Sequence, residues 1–386
     1  MNQRKNRIRV VPTAFPYLFF IFSFFAAAYT HSQPIMDTVD SLTVAKATAF
    51  ARVKDGYFPD ALSAAENSLK MAEDLYGPTH QALVPYLIDL ATIDRYMARY
   101  TEAESTLKWG LALREKALDP DDPLIADSCL QLASLYEDWG KWGDAEYWCL
   151  KTRAILQKQL VESSPELCET TQLLARIELS QEKLREAQAL LDQNLHILEK
   201  SPSDPAIRIE SLTLLAKVHM VNKHFSEAET CLQKALETVE KSFPADSVQR
   251  GDALENLGDF YLCQNKQEKA QPPYQSALKI YKQFVGSYFG YSSLPYLEKL
   301  AHAYQSVGDD QSALDLWEKD LKTTQETFGD GHPKTAKVII QLARVERKLG
   351  KNESSQKHFN EGVKILEAFY PKDYPYVLQM KTRFYH

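Results

Sequence analysis

Residues Gln131–Leu150 read QLASLYEDWGKWGDAEYWCL, and the rest of the chain repeats that stretch. Leu132, Ala133 and Tyr136 share one helical face, Gly140-Lys141-Trp142 makes a turn, and Ala145 opens a second helix. The same pair of small residues recurs as Ala49/Ala61, Ala91/Ala103, Ala133/Ala145, Ala175/Ala187, Ala216/Ala228, Gly258/Ala270, Ala301/Ala313 and Ala343/Ser355. Their first members lie 42, 42, 42, 41, 42, 43 and 42 residues apart, a near-fixed period that marks a repeat array.

Two antiparallel helices joined by a short turn approach closely only where side chains are small, which is why Ala or Gly holds both positions. A large residue there costs about 1–3 kcal/mol through overpacking. Bulk fills the space beside them: Leu90, Leu132, Leu174, Leu215, Leu257, Leu300 and Leu342 precede the first small residue, and Leu107, Leu191, Tyr274, Trp317 and Phe359 follow the second. One helical hairpin cannot bury its apolar face alone, so neighbours stack into an all-α solenoid. At Ala133 the register points inward and at Lys141 outward.

The skeleton resembles the tetratricopeptide repeat, and its period resembles the longer repeat of kinesin light chains. The connectors Gly77-Pro-Thr-His80, Asp119-Pro-Asp-Asp-Pro123, Gly329-Asp-Gly-His-Pro333 and Tyr370-Pro-Lys-Asp-Tyr-Pro375 are similar to that subclass's G-x-x-H-P loop. The resemblance implies a right-handed superhelix of eight antiparallel helix pairs over residues 31–375, capped by a helix over 376–386 that carries Val377, Met380 and Phe384. It also implies a partner, an extended peptide or protein segment held in the concave groove lined by the first helix of each pair. Carried over by position, the groove of repeats six to eight contains Asn256, Asp259, His302, Gln305, Gln341, Arg344 and Arg347. In repeats four and five the same rule gives Leu173 and Leu214. Asn256 matches the family's peptide-binding amide, whose side chain serves a peptide N–H and C=O together. The other repeats lack that Asn. Arg344 and Arg347 add local positive charge suited to an acidic segment.

Residues 1–30 stand apart. Arg4, Lys5, Arg7 and Arg9 precede an uncharged run from Val10 to Thr30 that ends on Ala26-Ala27-Ala28, the layout of a secretory signal peptide. The same run is just long enough to be an uncleaved membrane anchor. Either reading puts the repeats outside the cytoplasm, periplasmic or secreted, with membrane contact only through a retained N-terminal segment. Cleavage after residue 28 leaves 41 Lys and Arg against 52 Asp and Glu, a net charge of −11 that argues against nucleic acid as a partner.

The five cysteines, Cys129, Cys149, Cys168, Cys231 and Cys263, make a poor disulfide framework. Cys129 and Cys149 fall at core positions of one repeat, where small apolar packing or a bridge between them are both open. Repeat six breaks pattern: Pro272-Pro273 follows Ala270, so its second helix is expected to start late or kink. The linker Val285–Ser293 then offers three exposed-looking aromatics. The sequence contains no phosphate-binding glycine loop, zinc-protease motif, nucleophile elbow or C-x-x-C. Asp119–Asp122 lacks the spaced ligands of a calcium loop. No cofactor, metal or enzymatic activity is expected. The function read from the chain is a non-catalytic interaction scaffold; the alternative is an envelope-assembly component docking on a membrane complex through the convex face.

Overall fold

The structure is a computed structural model and describes residues 33–200, 204–285, 290–371 and 374–385. By contact the chain forms two units, residues 1–41 and 42–386. Of the first, only the opening of helix α1 is described, so the signal or anchor segment expected over 1–30 lies outside the described residues. Among the described residues there are seventeen α-helices and no strand. None of these helices is long and apolar enough to cross a membrane.

The helices come in pairs. They are α1 (Gln33–Asp55) with α2 (Phe58–Tyr76), α3 (Val84–Tyr96) with α4 (Tyr100–Ala117), and α5 (Pro123–Asp138) with α6 (Trp142–Gln159). Then follow α7 (Pro165–Ser180) with α8 (Leu184–Lys200), α9 (Pro205–Val221) with α10 (Phe225–Ser242), and α11 (Val248–Cys263) with α12 (Gln267–Val285). The array ends in α13 (Leu294–Val307) with α14 (Asp310–Phe328), α15 (Pro333–Lys348) with α16 (Asn352–Phe369), and the single helix α17 (Pro375–Tyr385).

The connectors write the helix starts. Asp122, Ser164, Asp204 and His332 each accept a backbone N–H of the following first turn through the side chain, and each is followed by Pro at the first helical position. Capping removes one orphan donor, and Pro has no N–H to orphan there. The small pairs sit where the helices of a hairpin touch: Ala91, Ala103, Ala133, Ala145, Ala301 and Ala313 have no exposed surface. In repeat eight the Ser355 hydroxyl donates to the Ala343 carbonyl at 2.7 Å, so the polar substitute is satisfied within the pair. In repeat six the Tyr274 ring occupies the space a Cβ on Gly258 would need, 2.7 Å away.

Several expectations change. Helix α12 starts at Gln267, ahead of Pro272 and Pro273, so the prolines sit inside it and forgo two second-turn hydrogen bonds instead of delaying its start. All five cysteines are free thiols, so no bridge joins Cys129 to Cys149. Burial pushes the first of these up to about 11 and the second to about 12. Lys141 is half-buried, and its ammonium is engaged, 3.3 Å from the centroid of the Trp139 ring. Tyr291, the described aromatic of the repeat-six linker, is packed and not exposed: it meets Phe58 edge-on at 5.4 Å and Phe328 at 5.8 Å.

That last contact belongs to a seam within 42–386. The turn of repeat one, at Gly56, meets Tyr291 on the connector into repeat seven. The end of α3 in repeat two meets the connector into repeat eight, where His332 Nε2 lies 2.9 Å from the Tyr96 carbonyl oxygen. The turn of repeat three, at Gly140 and Trp142, meets Tyr374 on the connector into α17, with Trp142 and Tyr374 stacked at 5.8 Å. Each turn thus touches the connector that opens the sixth unit after it. The first two contacts share a run of rings: Phe58 stacks on Phe328 at 5.1 Å and Phe328 on His332 at 4.6 Å. Among aromatic pairs such contacts add about 0.5–1.5 kcal/mol each beyond burial.

Candidate functional site

In repeats one to five the charged residues of successive first helices pair with one another. Lys46 of α1 meets Asp89 of α3 at 2.9 Å, and Arg95 of α3 meets Asp138 of α5 at 2.6 Å. Glu137 of α5 and Glu210 of α9 share Arg176 of α7, at 2.5 and 2.8 Å. Leu173 and Leu214, at groove register in the sequence, are buried instead. Among the described residues most of the charge on these helices is thus paired within the array, with Lys217 of α9 exposed beside it.

Repeats six and seven differ. Asn256 on α11 is half-exposed, and among the described residues its side chain makes no hydrogen bond, leaving donors and acceptor open to a partner. One turn on, Asp259 is exposed and accepts the Tyr274 hydroxyl at 2.5 Å. Tyr274 and Tyr281 reach α11 from α12, their rings lying where Cβ atoms on Gly258 and Gly251 would be. The Tyr281 hydroxyl approaches Asp252 at 2.8 Å and Glu255 at 2.9 Å, and Lys299 of α13 pairs with Asp252. A phenol carries one proton, so it cannot donate to both carboxyls at once. Glu255, which burial foremost pushes up to about 7, brings a proton of its own in a large share of molecules at neutral pH.

The remaining candidates lie on α13 and α15. His302 sits edge-on to Trp317 at 5.0 Å, and burial lowers its affinity for a proton. Gln305 Oε1 accepts the Trp317 indole N–H at 3.2 Å. Gln341 accepts from Arg344 at 3.2 Å, while Arg344 also points to the Met380 sulfur at 3.2 Å. Arg347 donates to the Phe384 carbonyl and lies 4.9 Å from that ring's centroid. Helix α17 therefore engages both arginines. The structure brings Asn256 and Asp259 together on α11 and ties His302 and Gln305 to one indole. Sequence reading missed the tyrosine pair, although Gly251/Gly258 opposite Tyr274/Tyr281, each seven apart, was a visible signal. Among the described residues no group of three or more His, Cys, Asp or Glu is placed to hold a metal ion.

Residues 42–116, 208–283 and 293–368, together more than half of the chain, match the family model described as Tetratricopeptide repeat. Nephrocystin-3 of Mus musculus is 42% identical over 81 residues, 21% of this chain and 5% of that protein. Protein KINESIN LIGHT CHAIN-RELATED 1 of Arabidopsis thaliana is 23% identical over 344 residues, 87% of this chain and 54% of the relative. The chain thus spans about half the length, or far less, of the curated relatives it matches. Among solved structures, BtubC (BKLC) from P. vanneervenii has a TM-score of 0.51 at 20% identity, over 59% of this chain and 92% of that one. The Rap conjugation gene regulator of plasmid pLS20, in complex with the Phr* peptide, has a TM-score of 0.53 at 14% identity, over 74% of each. At these identities the two likenesses show the fold.

Proposed function

The chain belongs to the tetratricopeptide repeat family, and on that premise we propose a non-catalytic scaffold that holds an extended peptide or protein segment in its concave groove, outside the cytoplasm. One observation carries the reading: Asn256 presents an unengaged amide beside Asp259, where most neighbouring groove charges are paired within the array. An Asn side chain in that place reads a peptide backbone and leaves its sequence to flanking residues. His302, Gln305 and Gln341 continue the surface, and Arg344 and Arg347 close it where α17 lies. The Rap regulator that shares this fold was solved with a peptide, which supports the ligand class. The acidic balance of the chain supports a protein partner over nucleic acid.

The location rests on Arg4, Lys5, Arg7, Arg9 and the uncharged run behind them. N-terminal sequencing of the protein from its host tests it: processing near Tyr29 or a retained anchor fits, and a cytoplasmic protein that keeps Met1 does not. The groove is tested by selecting displayed peptides on the full chain and measuring them on an Asn256→Ala, Asp259→Ala variant. Losing those contacts should weaken selected peptides at least tenfold, about 1.4 kcal/mol. Unchanged affinity moves the site elsewhere. One observation favours the second reading, docking on a membrane complex through the convex face: Tyr147 and Leu150 on α6 are 60% and 45% exposed. Peptides that fail to select on the groove, with binding lost in a Tyr147→Ser, Leu150→Ser variant, would favour it.

A further inference from the structure

The middle contact of the seam between repeats one to three and the connectors into repeats seven, eight and α17 is made by a histidine. His332 uses both ring nitrogens: Nδ1 accepts the Lys334 backbone N–H at 3.1 Å, capping α15, and Nε2 lies 2.9 Å from the Tyr96 carbonyl oxygen at the end of α3. A carbonyl only accepts, so Nε2 carries the proton and Nδ1 does not. The ring is buried and stacked on Phe328. A second proton has one place to go, Nδ1, where it meets the Lys334 N–H head-on and destroys the cap.

We propose that His332 is a proton-operated latch: neutral, it pins the connector into repeat eight onto repeat two, and on gaining a second proton it lets the seam part. The charged and titratable groups around it favour that direction. From α15, Lys334 and Lys337 act on it as like charges. From α3 it faces the Tyr96 carbonyl, which accepts Nε2–H and so works for the charged ring against burial and the lysines, and from the connector into repeat seven Tyr291 closes the same ring cluster. From α14 comes Phe328, while Asp320 there, Glu298 on α13 and Asp138 on α5 act on Lys334, the last two on Lys337 as well. Burial, with those lysines, pushes the imidazole down to about 4 in the closed seam. An open seam returns it toward the ordinary 6.5. The closed form is favoured above pH 6.5 and loses that advantage as pH falls through 4, a shift toward the open form of about 150-fold by pH 4.

The latch concerns access to the groove proposed above and rests on that reading only for its use; the opening itself needs no partner. Spin labels at Thr101→Cys and Asp330→Cys, with the exposed Cys263 changed to Ser, report the distance across the seam in the full chain without ligand. The distance should lengthen and broaden between pH 7.5 and pH 4 and recover on return. His332→Gln, with no titrating ring, should hold one distribution at both pH values. Should that variant fail to fold by circular dichroism, His332→Asn keeps a helix-capping oxygen and serves the same purpose. An unmoved distance in the parent, or an equal change in the variants, overturns the latch. Either result leaves the Asn256→Ala, Asp259→Ala binding test untouched.

Discussion

Gly140 lies under the ring of Tyr374, with φ of +72° and a Cβ position 2.6 Å from two ring carbons. No other residue type suits both demands, because an L side chain is strained at that φ and the space above it is occupied. Gly140→Ala should therefore destabilise the array by about 1–3 kcal/mol. Gly143, three residues on in the first turn of α6, has nothing within 4 Å of its Cβ position. Gly143→Ala should be neutral or stabilising by up to about 1 kcal/mol. Denaturant unfolding of the two variants checks the pair, and equal effects would mean the seam contributes nothing.

Ala133 has no exposed surface, and Ala133→Leu should cost about 1–3 kcal/mol. Lys141 is no control for it, since its ammonium sits on Trp139. Lys70 is exposed on α2 and Lys70→Leu should stay within about 0.5 kcal/mol. Comparable losses at the two positions would contradict the helix packing.

Asp320 is 2% exposed, and burial foremost pushes its carboxyl up to about 7, against 3.8 when unfolded. Between those values the folded chain holds a proton the unfolded chain has lost, so the stability present below pH 3.8 drains away as pH rises through 7. Asp320→Asn should be more stable than the parent at pH 8, by about 1–3 kcal/mol, and no better at pH 3.5. Thermal melts at the two pH values measure it. His332 works with the opposite sign in the same range, so the parent's own profile blends the two.

Four of the five thiols are buried and Cys263 is exposed. Iodoacetamide should modify Cys263 alone in the folded protein, slowly, because partial burial and then Asp259 raise its pKa. Mass spectrometry of the alkylated chain counts the sites. Rapid loss of Cys129 or Cys149 would contradict the packing of repeat three.

Arg347 holds the last turn of α17 by its carbonyl and its ring, and Arg344 reaches Met380. Arg344→Ala with Arg347→Ala should raise amide exchange over 375–385 at least tenfold while leaving α5 and α6 protected. Exchange unchanged in that helix would show that Phe359, stacked on Phe384 at 3.7 Å, fastens it alone.

The array was legible because its signal is local: a small residue every hairpin, bulk beside it, and a capped proline at the next start all fall within one repeat. The seam was not, because its partners are joined by no periodicity. Its aromatics were nonetheless in plain view. Phe58, Tyr96, Tyr100, Trp139 and Trp142 crowd the turns of repeats one to three, where repeats four and six carry Glu182-Lys183 and Asn265-Lys266. Nothing in a single hairpin explains that asymmetry; the connector each turn meets does. The charges of Arg344 and Arg347 were readable, but their engagement by α17 depends on how the last helix folds back, which spacing alone does not encode. Pro272 and Pro273 misled because a helix anchored on both faces by neighbours tolerates two missing hydrogen bonds that an isolated one would not.

An open solenoid touches only its neighbours, so units are gained or lost without penalty and its ends fray independently. Here the contact of each turn with the connector six units ahead counts the repeats between them. Deleting or duplicating one hairpin between repeats three and six would set Gly140 against the wrong connector and leave Tyr374 without its slot. Closing that long loop once ties the first repeats to the last, so neither end should melt before the other. The protein inherits the modularity of its family in sequence and gives it up in three dimensions: the number of hairpins between each of these turns and its connector is fixed by geometry.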